Sequence, residues 1–337
     1  MSLRVIILSC LLWVLTEARA PCGLQMDCVP KGLCINAPTF SSACLNSETC
    51  CHTSGILAIG APQNCGRSNP RGLETETQVT LDQSRPNEFP WIVALMKGSD
   101  LFGSGTLVTE NVVVTAAHLM MNKTIDDFLV AGGVWDLKQL FKNTVVTRYP
   151  ARIVRHPGFN GITGRNNIAL IVLAISFQLK PQIGTICWPS PGISYVGDRC
   201  LVAGWGKLDY LDGDISHRQK KIDLPIVSSG VCAAQVSRVL GRRYTLDPTM
   251  LCAGGERGRD SCKGDGGSPL MCPIPGYPDL FEFVGIVNSG IKCGEEDVPG
   301  LYTNITQMKS WIDEQMDDEL NKPYNTFPIY NIDYDSY

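Results

Sequence analysis

The sequence predicts an all-β domain of short strands, preceded by a small cysteine-stapled segment. Three observations predict it. Apolar runs such as W-I-V-A-L-M (91–96), V-V-V-T (112–115), I-A-L-I-V-L (168–173) and F-V-G-I-V (283–287) recur between turn-rich stretches. Many short strands with turns between them point to a barrel or sandwich. Only Gln307 to Met316, with Trp311 and Ile312 on its apolar side, reads as a helix. The third observation is the crowding of six cysteines into residues 22–51.

Composition narrows the class. The 337 residues, 44% hydrophobic and 18% charged, are enough for a large core. A formal charge of −4 gives no reason to expect nucleic acid as a partner. Residues 1–20 read as a secretory signal: Arg4 supplies the positive start, Val5 to Leu15 the apolar core, and Ala18-Arg19-Ala20 the cleavage site. That run is too short to span a bilayer, and no later run reaches about 18 apolar residues, so no membrane segment is expected. Cys10 leaves with the signal, and the remaining fourteen cysteines are even in number, as in a disulfide-bonded secreted chain. Zinc fits poorly, because no C-x-x-C pattern stands beside Cys50-Cys51 and histidine is scarce. No metal and no cofactor are expected. The sequons at Asn122 and Asn304 are candidate glycan sites.

In chain order, the cysteines of 22–51 are Cys22, Cys28, Cys34, Cys44, Cys50 and Cys51. So short a segment cannot bury enough apolar surface to fold without staples, and six cysteines allow 15 connectivities. Residues 52–83 read as a linker rich in Gly, Pro, Asn and Thr. The β-rich domain follows over 84–316. The stretch 317–337 reads as an acidic, tyrosine-rich tail without fixed structure.

The most informative string is D-S-C-K-G-D-G-G-S-P-L, Asp260 to Leu270. It resembles the nucleophile loop of trypsin-like serine proteases at nearly every position, including Asp260, Cys262, Gly264, Asp265, Gly267 and Pro269. At the nucleophile's own position stands Gly266, which has no side chain to attack a carbonyl. V-T-A-A-H resembles the catalytic-histidine motif and ends in His118. N-N-I-A-L-I-V-L resembles the motif of the third triad member, with Asn167 in place of aspartate. In that family the Asp→Asn change lowers kcat about 10⁴-fold. A-G-W-G (203–206) and P-G-L-Y-T (299–303) extend the resemblance. It implies a two-barrel trypsin-like fold with a C-terminal helix and a degenerate triad of His118, Asn167 and Gly266.

The same resemblance assigns the binding loops. Gly264 and Asp265 are the remnant of the oxyanion loop. Asp260 matches the acid at the base of a specificity pocket, and Asn288-Ser289-Gly290 stands where the family has S-W-G. Ser268, two residues past Gly266, is too far along the chain to replace the nucleophile. Active relatives are cut before I-V-G-G, and the freed amine pairs with the aspartate that precedes the nucleophile. Here the corresponding stretch is near Thr77-Gln78-Val79-Thr80, so Asp265 is expected to lack that activating partner.

The spacing of residues 22–51, ending in an adjacent C-C, resembles the clip domain of arthropod serine proteases. That resemblance implies the pairs Cys22–Cys50, Cys28–Cys44 and Cys34–Cys51. The protease resemblance implies Cys65–Cys187, Cys200–Cys272, Cys232–Cys252 and Cys262–Cys293. The family's pair beside the histidine is absent on both sides, with Gly103 and Leu119 at its positions. The implied function is a secreted, catalytically inactive homologue that regulates a haemolymph cascade. Its partners would be active clip-domain serine proteases, prophenoloxidase, or both, with oligomerisation left open. A pattern-recognition or matrix-binding protein and a residual trypsin-like endopeptidase are the alternatives. Arg71, followed by Gly72, is the best linker position for a regulatory cut by another protease.

Overall fold

The computed structural model describes residues 26–30, 48–52, 65–74, 76–207 and 214–320. The chain divides into two units, 1–59 and 60–337. The first contributes one antiparallel pair, β1 (Met26–Pro30) and β2 (Glu48–His52), with Cys28 opposite Cys50. The signal at 1–20 lies outside the described residues. So does one member of each expected clip disulfide, Cys22, Cys44 and Cys34 respectively.

The second unit is all-β in two parts. Strands β3 (Ile92–Lys97), β4 (Asp100–Leu107), β5 (Val112–Thr115), β6 (Leu129–Gly132), β7 (Val146–Arg148), β8 (Pro150–Arg155) and β9 (Ala169–Leu173) form one antiparallel sheet. Their order is β7-β6-β3-β4-β5-β9-β8. The single residue Tyr149 joins the two edge strands, so the sheet curls until its edges are neighbours. Strands β10 (Arg199–Gly204), β11 (Lys220–Val227), β12 (Met250–Gly254), β13 (Pro269–Ile274), β14 (Tyr277–Ser289) and β15 (Pro299–Asn304) close into a barrel. This is the two-barrel trypsin-like architecture that the motifs imply.

Local composition explains the strands. V-V-V-T and A-L-I-V-L are buried at every position, so both faces of β5 and β9 are covered and no polar alternation appears. Trp91, Ile92, Leu95 and Ile168 fill the first core, and Val202, Leu224, Leu270 and Tyr302 the second.

Three expectations need correction. The C-terminal helix, α2, runs from Ile305 to Leu320, so it takes in the first residues of the expected tail. Beyond Met316 the sequence D-D-E-L ends in Glu319 and Leu320, which are good helix formers. A second helix, α1 (Ser229–Leu240), was not anticipated. The Ser228 hydroxyl accepts from Val231 N–H at 3.3 Å to cap its start, and Gly241, at φ 63°, ends it.

The expected linker is, in its described part, pinned to the domain. Gly66 N–H donates to Thr185 O at 2.7 Å, and Phe281 N–H donates to Gly66 O at 2.9 Å. Gly66 has φ +69°, and a Cβ there would lie 2.7 Å from Cys187 Sγ, so this close approach requires glycine. Asn69 Nδ2 donates to Asn87 O and Pro181 O, each at 2.8 Å. Polar residues in this stretch bond the domain's backbone instead of solvent.

Candidate functional site

The site lies where both halves of the protease-like unit supply residues. A 3₁₀ turn, Ala117–Met120, carries His118, and the segment before β9 carries Asn167. The loop before β13 carries Gly264, Asp265 and Gly266, and the end of β14 carries Asn288. A Cβ placed on Gly266 would lie 3.1 Å from His118 Nε2. The imidazole therefore faces the glycine closely, and a side chain at 266 would need it to move.

Hydrogen bonds fix the polarity of this cluster. His118 N–H donates to Asn167 Oδ1 at 2.9 Å, which places the amide nitrogen of Asn167 on the ring side. Asn167 Nδ2 lies 2.8 Å from His118 Nδ1 and donates to Asn288 Oδ1 at 2.7 Å. Asn288 is oriented in turn by donating from Nδ2 to Gly164 O at 2.7 Å and to Thr303 Oγ1 at 3.2 Å. Thr303 donates to Asn167 O at 3.0 Å. A backbone N–H at one end and backbone carbonyls at the other leave one consistent assignment. Asn167 donates to Nδ1, so the proton of neutral His118 sits on Nε2. Burial lowers the His118 pKa, which favours the neutral ring. A general base needs a free lone pair at Nε2, and here that nitrogen is a donor.

Asp265 has an ionic partner that is not a freed chain-end amine. Lys220 Nζ bonds Asp265 Oδ2, and both side chains are buried. The Asp265 carboxylate also accepts from Gly206 N–H at 2.8 Å and Cys262 N–H at 2.9 Å. An internal ammonium therefore meets the aspartate that active relatives pair with a freed chain-end amine. The signal was present in the sequence. Lys220, Ile222, Leu224 and Ile226 alternate along β11, which puts a lysine at the head of an inward-facing stripe.

Around this ion pair the pocket loop is framed by Cys262–Cys293. Asp260 is buried; its Oδ2 accepts from Gly294 N–H at 3.3 Å, and Oδ1 has no partner among the described residues. Burial raises its carboxyl pKa to about 7. Ser289 and Gly290 are exposed, where the family's tryptophan would form a pocket wall. Ser268 is fully buried, a Cβ on Gly204 would lie 2.5 Å from its Oγ, and that hydroxyl has no hydrogen-bond partner among the described residues.

The remaining candidates are placed as follows. Cys65–Cys187, Cys200–Cys272 and Cys232–Cys252 are disulfides. A Cβ on Gly103 would lie 2.5 Å from Leu119 Cδ1, so the leucine occupies the volume between those two positions. Asn122 is exposed, and Asn304 is half-buried with its Oδ1 accepting from Thr306 N–H at 3.1 Å. Arg71 is exposed on a turn closed by Gly72 N–H to Asn69 O at 2.7 Å. No cluster of three or more potential metal ligands occurs among the described residues. Among them, too, no helix is long and apolar enough to cross a membrane.

The family model described as Trypsin matches residues 78–312. The chain belongs to the trypsin family. Within that family it is similar to phenoloxidase-activating factor 2 of Galleria mellonella, 34% identical over 75% of this chain and 88% of the relative. It is also 34% identical to the inactive CLIP domain-containing serine protease A28 of Anopheles gambiae, over 77% of this chain and 70% of the relative. The inactive CLIP domain-containing serine protease A8 of the same species is 30% identical, over 85% and 87%. This trypsin-family chain is thus a clip-domain serine protease homologue of the non-catalytic kind.

Proposed function

We propose that this chain is a secreted regulatory cofactor in an arthropod haemolymph proteolytic cascade, one that leads to prophenoloxidase activation or innate immune signalling. It binds an active clip-domain protease, prophenoloxidase, or both, and does not cut either. The observation that carries this is the pairing of an emptied nucleophile position with a maintained loop. Gly266 faces His118 with no side chain between them, while Lys220 and Asp265 hold the surrounding backbone. A domain kept only as a spacer has no need for a buried ion pair under its substrate loop. The relatives, a phenoloxidase-activating factor and inactive CLIP-domain proteases by name, support the same class of role.

Purified protein should release no product from arginyl or lysyl amide substrates. Added to haemolymph in which the cascade has been triggered, it should co-precipitate a clip protease or prophenoloxidase and raise phenoloxidase activity. Co-precipitation of surface glycans or matrix proteins alone, with no change in activity, would replace this reading with a recognition or matrix role. Hydrolysis that follows the protein through purification and disappears in Ser268→Ala would make it an enzyme.

A further inference from the structure

We infer that the cationic face around β8 binds an acidic, aromatic chain segment, and that its occupant is the chain's own C-terminal stretch, residues 321–337. The inference goes beyond the cofactor reading and does not rest on it. Its consequence is regulatory: the face is closed to acidic partners in the intact chain and opens when the segment is displaced or removed.

The charge comes from a long run without acids. From Leu137 to Gly197 there is no Asp or Glu, while lysine and arginine recur through it. Two of these cations are neutralised from outside the run, Lys142 by Glu74 and Arg165 by Asp247. Others are held in place without losing their charge. Arg148 donates from Nε to Ser176 O at 3.1 Å and from Nη1 to Thr147 O at 2.9 Å, and its guanidinium lies over the Phe177 ring. Arg155 donates from Nε to Met120 O and from Nη2 to Lys123 O, each at 2.7 Å. Carbonyls and a ring fix these cations but bring no net charge to cancel them, and each guanidinium keeps further N–H donors for an incoming carboxylate. Lys180 is exposed beside them in the chain's next loop, and the exposed Glu110 bounds the face, its O accepting from Phe177 N–H at 2.7 Å.

Between the cations the face is apolar and uncovered. Tyr149 is 66% and Ile175 68% exposed. They are neighbours: Ala174 N–H donates to Tyr149 O at 2.9 Å, and Arg148 reaches Ser176, the residue after Ile175. Large exposed side chains set among unneutralised arginines fit a segment that carries both aromatic rings and acids. Residues 330–335 read Y-N-I-D-Y-D, which sets Tyr330, Ile332 and Tyr334 beside Asp333 and Asp335.

The segment is long enough to reach. Trp311 of α2 packs on His156, the residue that follows β8, with ring centroids 4.8 Å apart. The helix from Trp311 to Leu320 is about 14 Å long. From His156 back to Tyr149, β8 spans about 20 Å. Laid end to end with the side chains between, that path is about 50 Å at most, and residues 321–337 span about 55–60 Å when extended. A segment tethered at the end of α2 meets the face at the high effective concentration of a short linker, which favours its own chain over a second copy.

The test compares the full-length secreted protein with a form that stops after Leu320. The probe is a synthetic peptide of residues 321–337, labelled at its N-terminus and read by fluorescence anisotropy in about 0.05 M salt. The shortened form should bind it at least about tenfold tighter than the full chain, whose face is already taken. Arg148→Glu in the shortened form should cost at least about tenfold in affinity. Ile175→Glu, at an exposed position that the core does not need, should cost the same and keeps the test valid if the Arg148 variant folds poorly. Raising the salt to about 0.5 M should weaken binding. Equal binding by the two forms, no binding by a shortened form that melts cooperatively, or binding that ignores Ile175→Glu overturns the inference. So does a full-length dimer that becomes a monomer on shortening, which would seat the segment on a second copy. Phenoloxidase activity enters none of these readouts, so failure here leaves the cofactor role standing.

Discussion

A carboxylate at position 167 could only accept hydrogen bonds; the amide of Asn167 gives two away. That difference decides what His118 can do. Gly266→Ser alone should remain inactive on arginyl amides, because the new hydroxyl meets an N–H where it needs an acceptor. Gly266→Ser with Asn167→Asp should exceed the single variant by about 10⁴ in turnover, since Lys220 already supplies the ion pair that shapes the loop. Equal rates for the two would show that the ring's polarity is not the limiting defect. Lys220→Met leaves the Asp265 charge buried and unpaired, and should destabilise the fold by about 3–5 kcal/mol in urea titration. Lys220→Met with Asp265→Asn should recover much of that loss. Asp260 carries a pH signature. Burial holds its folded pKa near 7, above its unfolded value, so the folded state takes up a proton as pH falls. The group is most destabilising above about pH 7, and the penalty fades toward the ordinary carboxylate range. Asp260→Asn should therefore raise Tm more at about pH 8.5 than at about pH 5. An equal gain at both would assign the effect to packing.

At the scale of elements, the segment from Cys65 to Leu73 behaves as part of the domain. Asn69 anchors the turn that holds Arg71, and a protease needs that bond extended, so cutting there should be slow. Asn69→Ala should speed nicking by an activated clip protease, and Arg71→Gln should prevent it. The two products should migrate apart only after reduction, because Cys65 is bonded to Cys187. Separation on a non-reducing gel would refute that arrangement. The strands were legible because their runs are β-branched and uninterrupted, as in V-V-V-T. Helix α1 was not, since S-G-V-C-A-A-Q-V-S-R-V-L buries only Cys232 and Val236 and its valines also suit a strand. The string around Gly266 was legible because its glycines and cysteines sit at fixed spacings. The donor direction of Asn167 was not, because it is set by Asn288 and Gly164, 121 and 124 residues apart from their partners.

For the molecule as a whole, the ion pair at Asp265 separates two events that are coupled in cleaved, active relatives. There the pocket forms when a chain end is freed. Here the pocket's internal charge is in place in the uncut chain. Protein intact at Arg71 and protein nicked there should therefore show the same near-ultraviolet circular dichroism and the same Tm. A pronounced spectral change on nicking would mean that the chain end reaches the loop after all. The disulfides, Cys200–Cys272 between β10 and β13 and Cys232–Cys252 between α1 and β12, close the barrel independently of any cut. Removal of either should cost about 2–5 kcal/mol.

Lys220 has one more implication, for handling the protein at the bench. An amine borne on a side chain at the start of β11 has no free end to protect or expose. Whatever is fused upstream of Cys65, whether affinity tag, carrier protein or purification leader, should leave the substrate loop in the same shape. An active relative must first be released from its leader. This one can be produced, immobilised through its N-terminus and used as a capture reagent without any processing step.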